Sequence, residues 1–226
     1  MTFTCQALSF MCIGVMQVTS HHLPRKAKGH GGERREEILS HALRLISEAG
    51  VHNVSTRQIA HAVGISQPTL YAYFPNRHAL VGEVGSRAFT ALAERMRIAA
   101  GASGSAEGRL KAVARNYVTF GLEQPDAYRV AFMIEAGSSE EKGGEDVVLA
   151  AGIQTFAIHR QCVSAYLPED SSEDEVTLVA QSMWASLHGL VSIFIARPGF
   201  PWVDRQRLID RHIEAMTQGY ELRQNP

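Results

Sequence analysis

Apolar residues recur at the spacing of an α-helix along most of the chain, and no stretch keeps the alternating pattern of a strand. Between residues 33 and 49, for example, Ile38, Ala42, Leu45 and Ala49 share one stripe. The same periodicity predicts helices near residues 77–99, 106–122, 125–136, 145–167, 173–196 and 204–221. The pattern therefore predicts an all-α fold.

Two short helices separated by a tight turn are predicted within residues 55–77, called the helix-turn-helix unit below. Ser55 and Gln58 have the spacing of a capping box, so the first helix should begin near Thr56. Gly64 can adopt the left-handed conformation that commonly ends a helix. The first helix is therefore predicted to be only about two turns long.

The second helix of this unit begins at another N-cap, Ser66, with Pro68 in its first turn. It is predicted to run to about Phe74, because the residue before Pro75 is disfavoured in the α region. Two helices joined in this way make a helix-turn-helix, whose second helix can enter the major groove of DNA.

The outward face of this second helix carries side chains suited to nucleic acid, provided that Leu70 and Phe74 face inward. Glutamine can bind adenine, a threonine methyl can meet a thymine methyl, and arginine can pair with guanine or phosphate. The candidate DNA contacts are Thr56, Arg57, Gln67, Pro68, Thr69, Tyr71, Tyr73 and Arg77. The alternative is a helix pair used only for packing, with the two tyrosines in a core.

Breaks in the pattern divide the chain into four segments. We predict a flexible tail and arm (1–32), a helix-turn-helix domain (33–78), a connecting helix (79–100) and a larger C-terminal domain (101–226), which starts in the breaker run GASGSAEG. Gly82 and Gly85 lie near the start of the connecting helix. They indicate either close packing against the helix-turn-helix domain or a flexible joint.

The N-terminal segment is apolar over residues 1–20, but it lacks the basic start of a signal peptide and is too interrupted for a membrane span. We interpret it as a weakly ordered tail, with Met11 and Met16 as alternative start sites. Residues 21–32 are rich in basic residues, Gly and Pro, typical of an arm that lies along DNA or of a solvated linker.

Charge is distributed unevenly, although the net charge is only −1. Residues 25–100 hold 11 Lys or Arg against 6 Asp or Glu, whereas residues 101–226 hold 11 against 17. A basic front half favours contact with phosphate. The three cysteines, Cys5, Cys12 and Cys162, and the pair His21 and His22 lack metal-site spacing, so we expect no metal or cofactor and a reduced cytoplasm.

Aromatic and histidine side chains are spread over four helices of the C-terminal half. They pack either into a closed core or around a cavity for a small hydrophobic or aromatic ligand, and the two histidines are either core residues or ligand contacts. The candidate ligand-binding residues are Tyr117, Phe120, Tyr128, Phe132, Phe156, His159, Trp184 and His188. No phosphate loop, nucleophile elbow or His-Glu metal motif indicates an enzyme.

The helix predicted at residues 173–196 is apolar around nearly its whole circumference, so it should be buried on all sides. The helix that follows it has an apolar stripe through Leu208, Ile209 and Ile213. Such a pair can bury itself within one subunit or against a second copy across a two-fold axis.

The segment IAHAVGISQPTLYAYFPNRHAL resembles the helix-turn-helix of the TetR family of bacterial transcription regulators, over roughly residues 33–96. It departs from the family pattern at Tyr73, usually His, and at Arg77, usually Lys. PDAYRVAFMIE and WASLHGLVSIFI are similar to a C-terminal subtype of that family. The resemblance implies a cytoplasmic homodimer that represses transcription at a palindromic operator until a small effector binds.

Two other functions are compatible with the sequence. The chain is either an activator of the same DNA-binding class or a helical small-molecule-binding or catalytic protein whose helix-turn-helix is structural only. Affinity for random DNA at low salt separates the second of these from a regulator. We expect no contact with a membrane.

Overall fold

The computed structural model describes residues 31–133 and 144–221, and within these ranges the chain is helical, with no strand. A single-turn 3-10 helix, Val51–Asn53, follows the first α-helix. The α-helices of the described ranges are α1 (Gly31–Ala49), α2 (Thr56–Val63), α3 (Gln67–Tyr71), α4 (Arg77–Ala100), α5 (Ala106–Glu123), α6 (Pro125–Phe132), α7 (Gly144–Tyr166), α8 (Glu173–Ala196) and α9 (Arg205–Glu221).

The all-α prediction is confirmed, and most predicted helices begin and end within two residues of the observed ones. The second helix of the helix-turn-helix unit was predicted to run to about Phe74, but it ends at Tyr71 and continues as a turn. α6 ends at Phe132. The predicted tail and arm up to residue 30, and the polar loop and helix end placed at residues 134–143, lie outside the described residues.

The turn between α2 and α3 forms by the capping contacts that the sequence predicts. Ser55 and Gln58 make both hydrogen bonds of a capping box at the start of α2. Gly64 ends α2 with a φ of 72°, and the backbone N–H of Ile65 donates to the carbonyl of Ala60 at 2.9 Å. These contacts fix the direction in which α3 leaves α2.

Two hydrophobic cores share the long helix α4. The N-terminal core is built from α1, α2 and α3 with Leu80 and Val84 at the start of α4. The C-terminal core takes the rest of α4, including Leu92 and Met96, together with α5, α7, α8 and α9. Val130 of α6 is buried in the N-terminal core, so α6 joins α4 in connecting the two.

Two glycines mark close helix approaches. A Cβ at Gly85 would lie 3.1 Å from the side chain of Val148, so the close packing at this glycine is against α7 of the C-terminal domain. The sequence had indicated close packing against the helix-turn-helix domain or a flexible joint instead. A Cβ at Gly121 would lie 2.4 Å from Val191 of α8 and 3.0 Å from the ring of Tyr128. Only glycine allows α5 and α8 to pack at this distance.

Within the single chain, α8 is buried on one side only, so its predicted burial is not completed inside the subunit, and burial of the other side against a second copy stays a prediction. Leu178 and Ile193 are 60% and 46% exposed, and no atom of a neighbouring element in the described residues lies within 4 Å of a Cβ placed at Gly189. Among the described helices, α8 alone is long and apolar enough to cross a membrane by length and composition, a property that core helices share. Its opposite side packs into the C-terminal core.

Candidate functional site: the helix-turn-helix unit and an aromatic cluster

The helix-turn-helix unit presents a partly polar surface at the start of α2 and along α3. Arg57, Pro68 and Thr69 are exposed, and Tyr71 is 42% exposed. Leu70 and Phe74 are buried beneath them, as the sequence predicts. The hydroxyls of Ser66 and Thr69 lie 2.8 Å apart, and the backbone N–H of Thr69 donates to Ser66 Oγ. This N-cap holds the first turn of α3.

Three of the candidate DNA contacts form a hydrogen-bonded triangle between α2 and α3. Nε2 of Gln67 donates to Thr56 Oγ1 at 3.0 Å and to Tyr71 Oη at 3.3 Å, and the two hydroxyls lie 3.2 Å apart. Thr56 is buried and Gln67 is half-buried. Hydrogen bonds from Thr56 and then Gln67 lower the pKa of Tyr71. The triangle keeps Gln67 and Tyr71 in fixed positions at the surface.

Tyr73 is half-buried against the N-terminal core, whereas the sequence placed it on the outward face. Its backbone carbonyl accepts a hydrogen bond of 2.7 Å from Arg35 of α1. The guanidinium of Arg35 also lies 4.3 Å above the ring of Phe74 and forms a two-point ion pair with Glu83 of α4. Arg35 therefore connects α1, the end of α3 and α4.

The guanidinium of Arg77 donates hydrogen bonds to two backbone carbonyls. Its Nε donates to the carbonyl of Val54 at 3.0 Å, and Nη2 donates to the carbonyl of Val51. The side chain thus fastens the start of α4 to the segment between α1 and α2. Its contact with DNA phosphate stays a prediction.

Seven of the eight candidate ligand-binding residues form one connected group, called the aromatic cluster below, which also includes Phe89 of α4. Each ring contacts at least one other ring of the group, with centroid separations of 4.7–6.3 Å. The members are Phe89, Tyr117, Tyr128, Phe132, Phe156, His159, Trp184 and His188. Phe120 is fully buried elsewhere, with the guanidinium of Arg95 5.7 Å from its ring.

A chain of hydrogen bonds runs through the middle of the aromatic cluster. The hydroxyls of Tyr117 and Tyr128 are 2.9 Å apart, and that of Tyr128 is 2.6 Å from Nδ1 of His188. Nε2 of His188 lies 3.3 Å from the hydroxyl of Ser192. The chain therefore ties α5 and α6 to α8.

Burial determines the ionisation of the side chains in this series of hydrogen bonds. It raises the pKa of Tyr117 to about 12 and also raises that of Tyr128, so both hydroxyls stay protonated at neutral pH. Burial lowers the pKa of His188. A neutral imidazole can accept a hydrogen bond at Nδ1 and donate one at Nε2, which matches the observed partners.

His159 is the most enclosed histidine of the cluster, with 3% of its surface exposed. Burial lowers its pKa to about 4, an effect that the nearby backbone of Ala180 only partly offsets. Its Nε2 atom is buried and has no hydrogen-bond partner in the described chain. Within residues 31–133 and 144–221, no three His, Cys, Asp or Glu side chains are arranged to hold a metal ion.

Helix α6 connects the aromatic cluster with the helix-turn-helix domain. Tyr128 and Phe132 lie in the cluster, whereas Val130, between them in sequence, is buried in the N-terminal core. Phe132 also packs edge-on against Phe89 of α4 at 4.7 Å. A displacement of either cluster residue of α6 would therefore reach α1 and α4.

Two family models match the chain over most of its described length. One, described as bacterial regulatory proteins of the tetR family, covers residues 38–84. The other, described as the tetracyclin repressor-like C-terminal domain, covers residues 110–216. The chain belongs to the TetR family of bacterial regulatory proteins.

Known proteins resemble this TetR-family chain over different lengths. Tetracycline repressor protein class D of Escherichia coli is 43% identical over 47 residues, which make up 21% of this chain and only 22% of that repressor. The class C repressor of Escherichia coli is 25% identical over 181 residues, covering 71% of this chain and 80% of its own. The structure of FadR from Bacillus subtilis in complex with stearoyl-CoA shares the fold, with a TM-score of 0.70, 17% identity and coverage of 81% and 98%.

Three contributors to the two sites in this TetR-family chain were not predicted from the sequence. Ser192 lies four residues after His188, so helical spacing was an available signal for it. Phe89 was part of an apolar stripe, and nothing distinguished it from core residues. Arg35 had no local signal, because its partners, the carbonyl of Tyr73 and Glu83, are distant in sequence.

Proposed function

We propose that this chain is a cytoplasmic, homodimeric DNA-binding regulator that represses transcription at a palindromic operator and is released from it by a small hydrophobic or aromatic effector. The observation that carries the proposal is the exposed face of the helix-turn-helix unit, with Arg57, Pro68 and Thr69 on a rigidly capped helix pair. The family supports a regulatory role, and the direction of regulation is part of the proposal.

In the proposed complex, α3 lies in the major groove. Thr69 and Gln67 contact base edges from α3, and Arg57 pairs with a guanine or a phosphate from the start of α2. Gln67 turns its amide nitrogen toward Thr56 and Tyr71, so its oxygen is the atom available to accept from the exocyclic amine of adenine. Tyr71 donates to phosphate, and Arg35 keeps the end of α3 in register with α1 and α4.

The proposed dimer uses the open side of α8. Its exposed apolar residues, Leu178 and Ile193, flank the unoccupied surface at Gly189, and a second copy would cover all three across a two-fold axis. Such a dimer presents two copies of α3 to successive major grooves, about 34–36 Å apart or a multiple of that distance.

Release from DNA requires an effector that binds one arrangement of the dimer more tightly than the other. The aromatic cluster supports this role, because a ligand that separates Tyr128 from His188 also moves α6, and α6 packs into the N-terminal core through Val130. Shifting the population from 1:99 to 99:1 takes about 5.5 kcal/mol of differential binding. A ligand shifts the population in this way if it binds only the arrangement in which the Tyr128–His188 hydrogen bond is broken and Phe132 is repacked.

The test of the proposed function is DNA binding by the full chain at low salt, followed by selection of preferred sites from random duplexes. We expect nonspecific affinity that falls steeply with salt, and a selected site with two inverted half-sites. Arg57→Ala should relax the preference at one position per half-site by about 1–3 kcal/mol.

Arg97→Ala is the matched control, since it removes the same charge from an exposed position near the far end of α4, about 30 Å from the start of that helix. It should leave the selected site unchanged. Absence of binding to any duplex at low salt would contradict the proposed function and would favour a helix-turn-helix that serves packing alone.

A further inference from the structure

The side-chain amide of Gln67 is held at its nitrogen by two hydroxyl groups of the helix-turn-helix unit. Nε2 donates to Thr56 Oγ1 at 3.0 Å and to Tyr71 Oη at 3.3 Å, and the two hydroxyl oxygens lie 3.2 Å apart. Gln67 is the first residue of α3, and the N-terminal residues of the second helix of a helix-turn-helix contact base edges. The orientation of this amide therefore affects which bases the chain can recognise.

The hydrogens available to the triangle decide which end of the amide faces inward. Each hydroxyl carries one hydrogen and the amide nitrogen carries two, whereas the amide oxygen only accepts. With the nitrogen inward, the amide donates to both hydroxyls, the Thr56 hydroxyl donates to Tyr71, and the hydrogen of Tyr71 is left for a phosphate. With the oxygen inward, two hydroxyl hydrogens would have to serve three contacts, and one pair of oxygens would face each other without a hydrogen. The nitrogen-inward orientation alone satisfies all three contacts.

The inward position of the nitrogen leaves Oε1 as the outward atom of Gln67. Within the described residues, Oε1 has no hydrogen-bond partner, and it is not enclosed by the protein. Pro68 and Thr69, which follow Gln67 on α3, are both exposed, so the first turn of this helix is open to DNA. Since an amide oxygen cannot donate, the outward end of Gln67 is an acceptor only.

The major groove presents donors on some bases and only acceptors on others. Adenine N6 and cytosine N4 are donors there, whereas guanine N7 and O6 and thymine O4 are acceptors. A free glutamine binds adenine through two hydrogen bonds, accepting from N6 and donating to N7. Because Thr56 and Tyr71 engage the nitrogen of Gln67, the bond to N7 is not formed. Gln67 then separates bases that carry an amino group from bases that do not, but it does not separate adenine from cytosine.

We infer that Thr56 and Tyr71 are specificity-determining residues that restrict Gln67 to recognition of an amino group, so that one position of each half-site accepts adenine or cytosine and rejects guanine and thymine. The inference rests on the proposed function for the contact of α3 with the major groove. It adds the class of base that Gln67 selects and the two residues that set this class.

The first experiment finds the position that Gln67 contacts. Sites are selected from random duplexes by the full chain and by Gln67→Ala, and the position that loses its preference in the variant is the one contacted by Gln67. In the wild-type chain, we expect adenine and cytosine at this position to bind within about three-fold of each other. Guanine and thymine should bind about ten-fold more weakly, which corresponds to the loss of one hydrogen bond.

Base analogues at that position separate the two polar atoms of adenine. 7-Deazaadenine lacks the N7 acceptor and keeps the amino group, whereas unsubstituted purine lacks the amino group and keeps N7. We expect 7-deazaadenine to change the Kd of the wild-type chain by less than about two-fold, and purine to weaken binding about ten-fold. The same analogues placed outside both half-sites are the control, and there neither should change the Kd.

The double variant Thr56→Val, Tyr71→Phe removes both acceptors of the amide and nearly keeps the shapes of the side chains. Its affinity falls for all sequences because Tyr71 no longer donates to phosphate, so the measured quantity is the ratio of Kd values between operators that differ at the one position. The freed nitrogen of Gln67 donates to N7 in this variant, and we expect adenine to bind about ten-fold tighter than cytosine and 7-deazaadenine. A merely structural role of the triangle would lower the affinity for all four bases alike.

Selection of adenine alone by the wild-type chain, a ten-fold loss with 7-deazaadenine, or an unchanged selected site in Gln67→Ala would overturn the inference. So would a double variant that keeps the wild-type ratios between bases. If the double variant fails to fold, the analogue measurements on the wild-type chain decide the question. A chain that selects a palindromic site but depends on N7 refutes this inference alone, whereas a chain without affinity for any duplex at low salt refutes the proposed function and the inference with it.

Discussion

The helix-turn-helix unit and the aromatic cluster each contain a small network of hydroxyl, amide and ring hydrogen bonds, but in opposite surroundings. Thr56, Gln67 and Tyr71 form their triangle at the surface, where Tyr71 is 42% exposed. Tyr117 and Tyr128 form theirs inside the C-terminal core, with exposures of 4% and 0%. The same kinds of hydrogen bond therefore position side chains at the surface in one network and fix helices in the core in the other.

Tyr71 and Gln67 can be reached by water, which can replace the hydrogen bond between them, so their part of the triangle contributes little to folding and can be opened at small cost. Its value lies in holding side chains where DNA can meet them. In the core, a broken bond leaves an unsatisfied polar group, so the chain from Tyr117 to His188 fixes α5, α6 and α8 relative to one another. A ligand that breaks it must supply equivalent partners.

The largest loss of stability is expected from Gly121→Ala, which disturbs the packing of α5 against α8 next to the buried network. The added Cβ would lie 2.4 Å from Val191 and 3.0 Å from Tyr128, and both neighbours belong to the core. We expect a loss of about 2–3 kcal/mol in the free energy of unfolding, measured by denaturant titration.

Gly199→Ala, in the loop between α8 and α9, is the control for this substitution, because a Cβ at Gly199 meets nothing within 4 Å in the described part of the chain. The control should therefore fold about as well as the wild type. Equal losses for both variants would show that the close approach of α5 and α8 does not matter for stability.

The helix-turn-helix unit was predictable in detail because its signals are local. Ser55 with Gln58, Gly64, and Ser66 with Pro68 act within a few residues of each other, and all appear in the structure as caps and turn. The half-burial of Tyr73 was not predicted, because the shortening of α3 and the anchoring of the turn after it by Arg35 depend on contacts with α1 and α4, and the contact of Tyr73 with DNA stays a prediction. Such tertiary contacts leave no periodic trace.

In the C-terminal half, the sequence identified which residue types matter but not how they are arranged. Helical periodicity placed the helices, and seven of the eight candidate residues do meet in one cluster. Phe120 does not, because its position on α5 turns it toward Arg95 of α4. The sequence left two alternatives open for α8, burial within its own chain or against a second copy, because an apolar helix has the same composition in both cases.

A second, smaller effect is expected from pH, through His159. The unfolded chain binds a proton at this histidine near pH 6.5, whereas the folded chain binds it only near pH 4. Unfolding therefore takes up a proton between these values, and the contribution of His159 to the free energy of unfolding falls as the pH is lowered through that window. At pH 5 the loss should be about 2 kcal/mol relative to pH 7.5.

His159→Phe should remove this contribution and flatten the dependence of stability on pH between about 6.5 and 4. Denaturant titrations of both proteins at pH 7.5, 6 and 5 measure it. No counterpart is expected in the helix-turn-helix unit, whose network contains no histidine. A wild type and variant with parallel pH profiles would mean that His159 does not stay neutral in the folded chain.

The smallest effects on stability, and the clearest difference between the buried and the surface network, are expected from removing one polar group from each. Tyr128→Phe removes the 2.6 Å partner of His188 Nδ1 inside the core and leaves only the longer contact of 3.4 Å with the Tyr117 hydroxyl, so we expect a loss of about 1.5 kcal/mol and unchanged nonspecific DNA affinity. Gln67→Ala should change stability by less than about 0.5 kcal/mol, because the exposed Tyr71 hydroxyl can turn to water and the buried Thr56 hydroxyl keeps its contact of 3.2 Å with Tyr71. The same variant should weaken binding to the selected operator. If Gln67→Ala instead destabilised the fold as much as Tyr128→Phe, the triangle would be a structural support, and its side chains would not be free to contact bases.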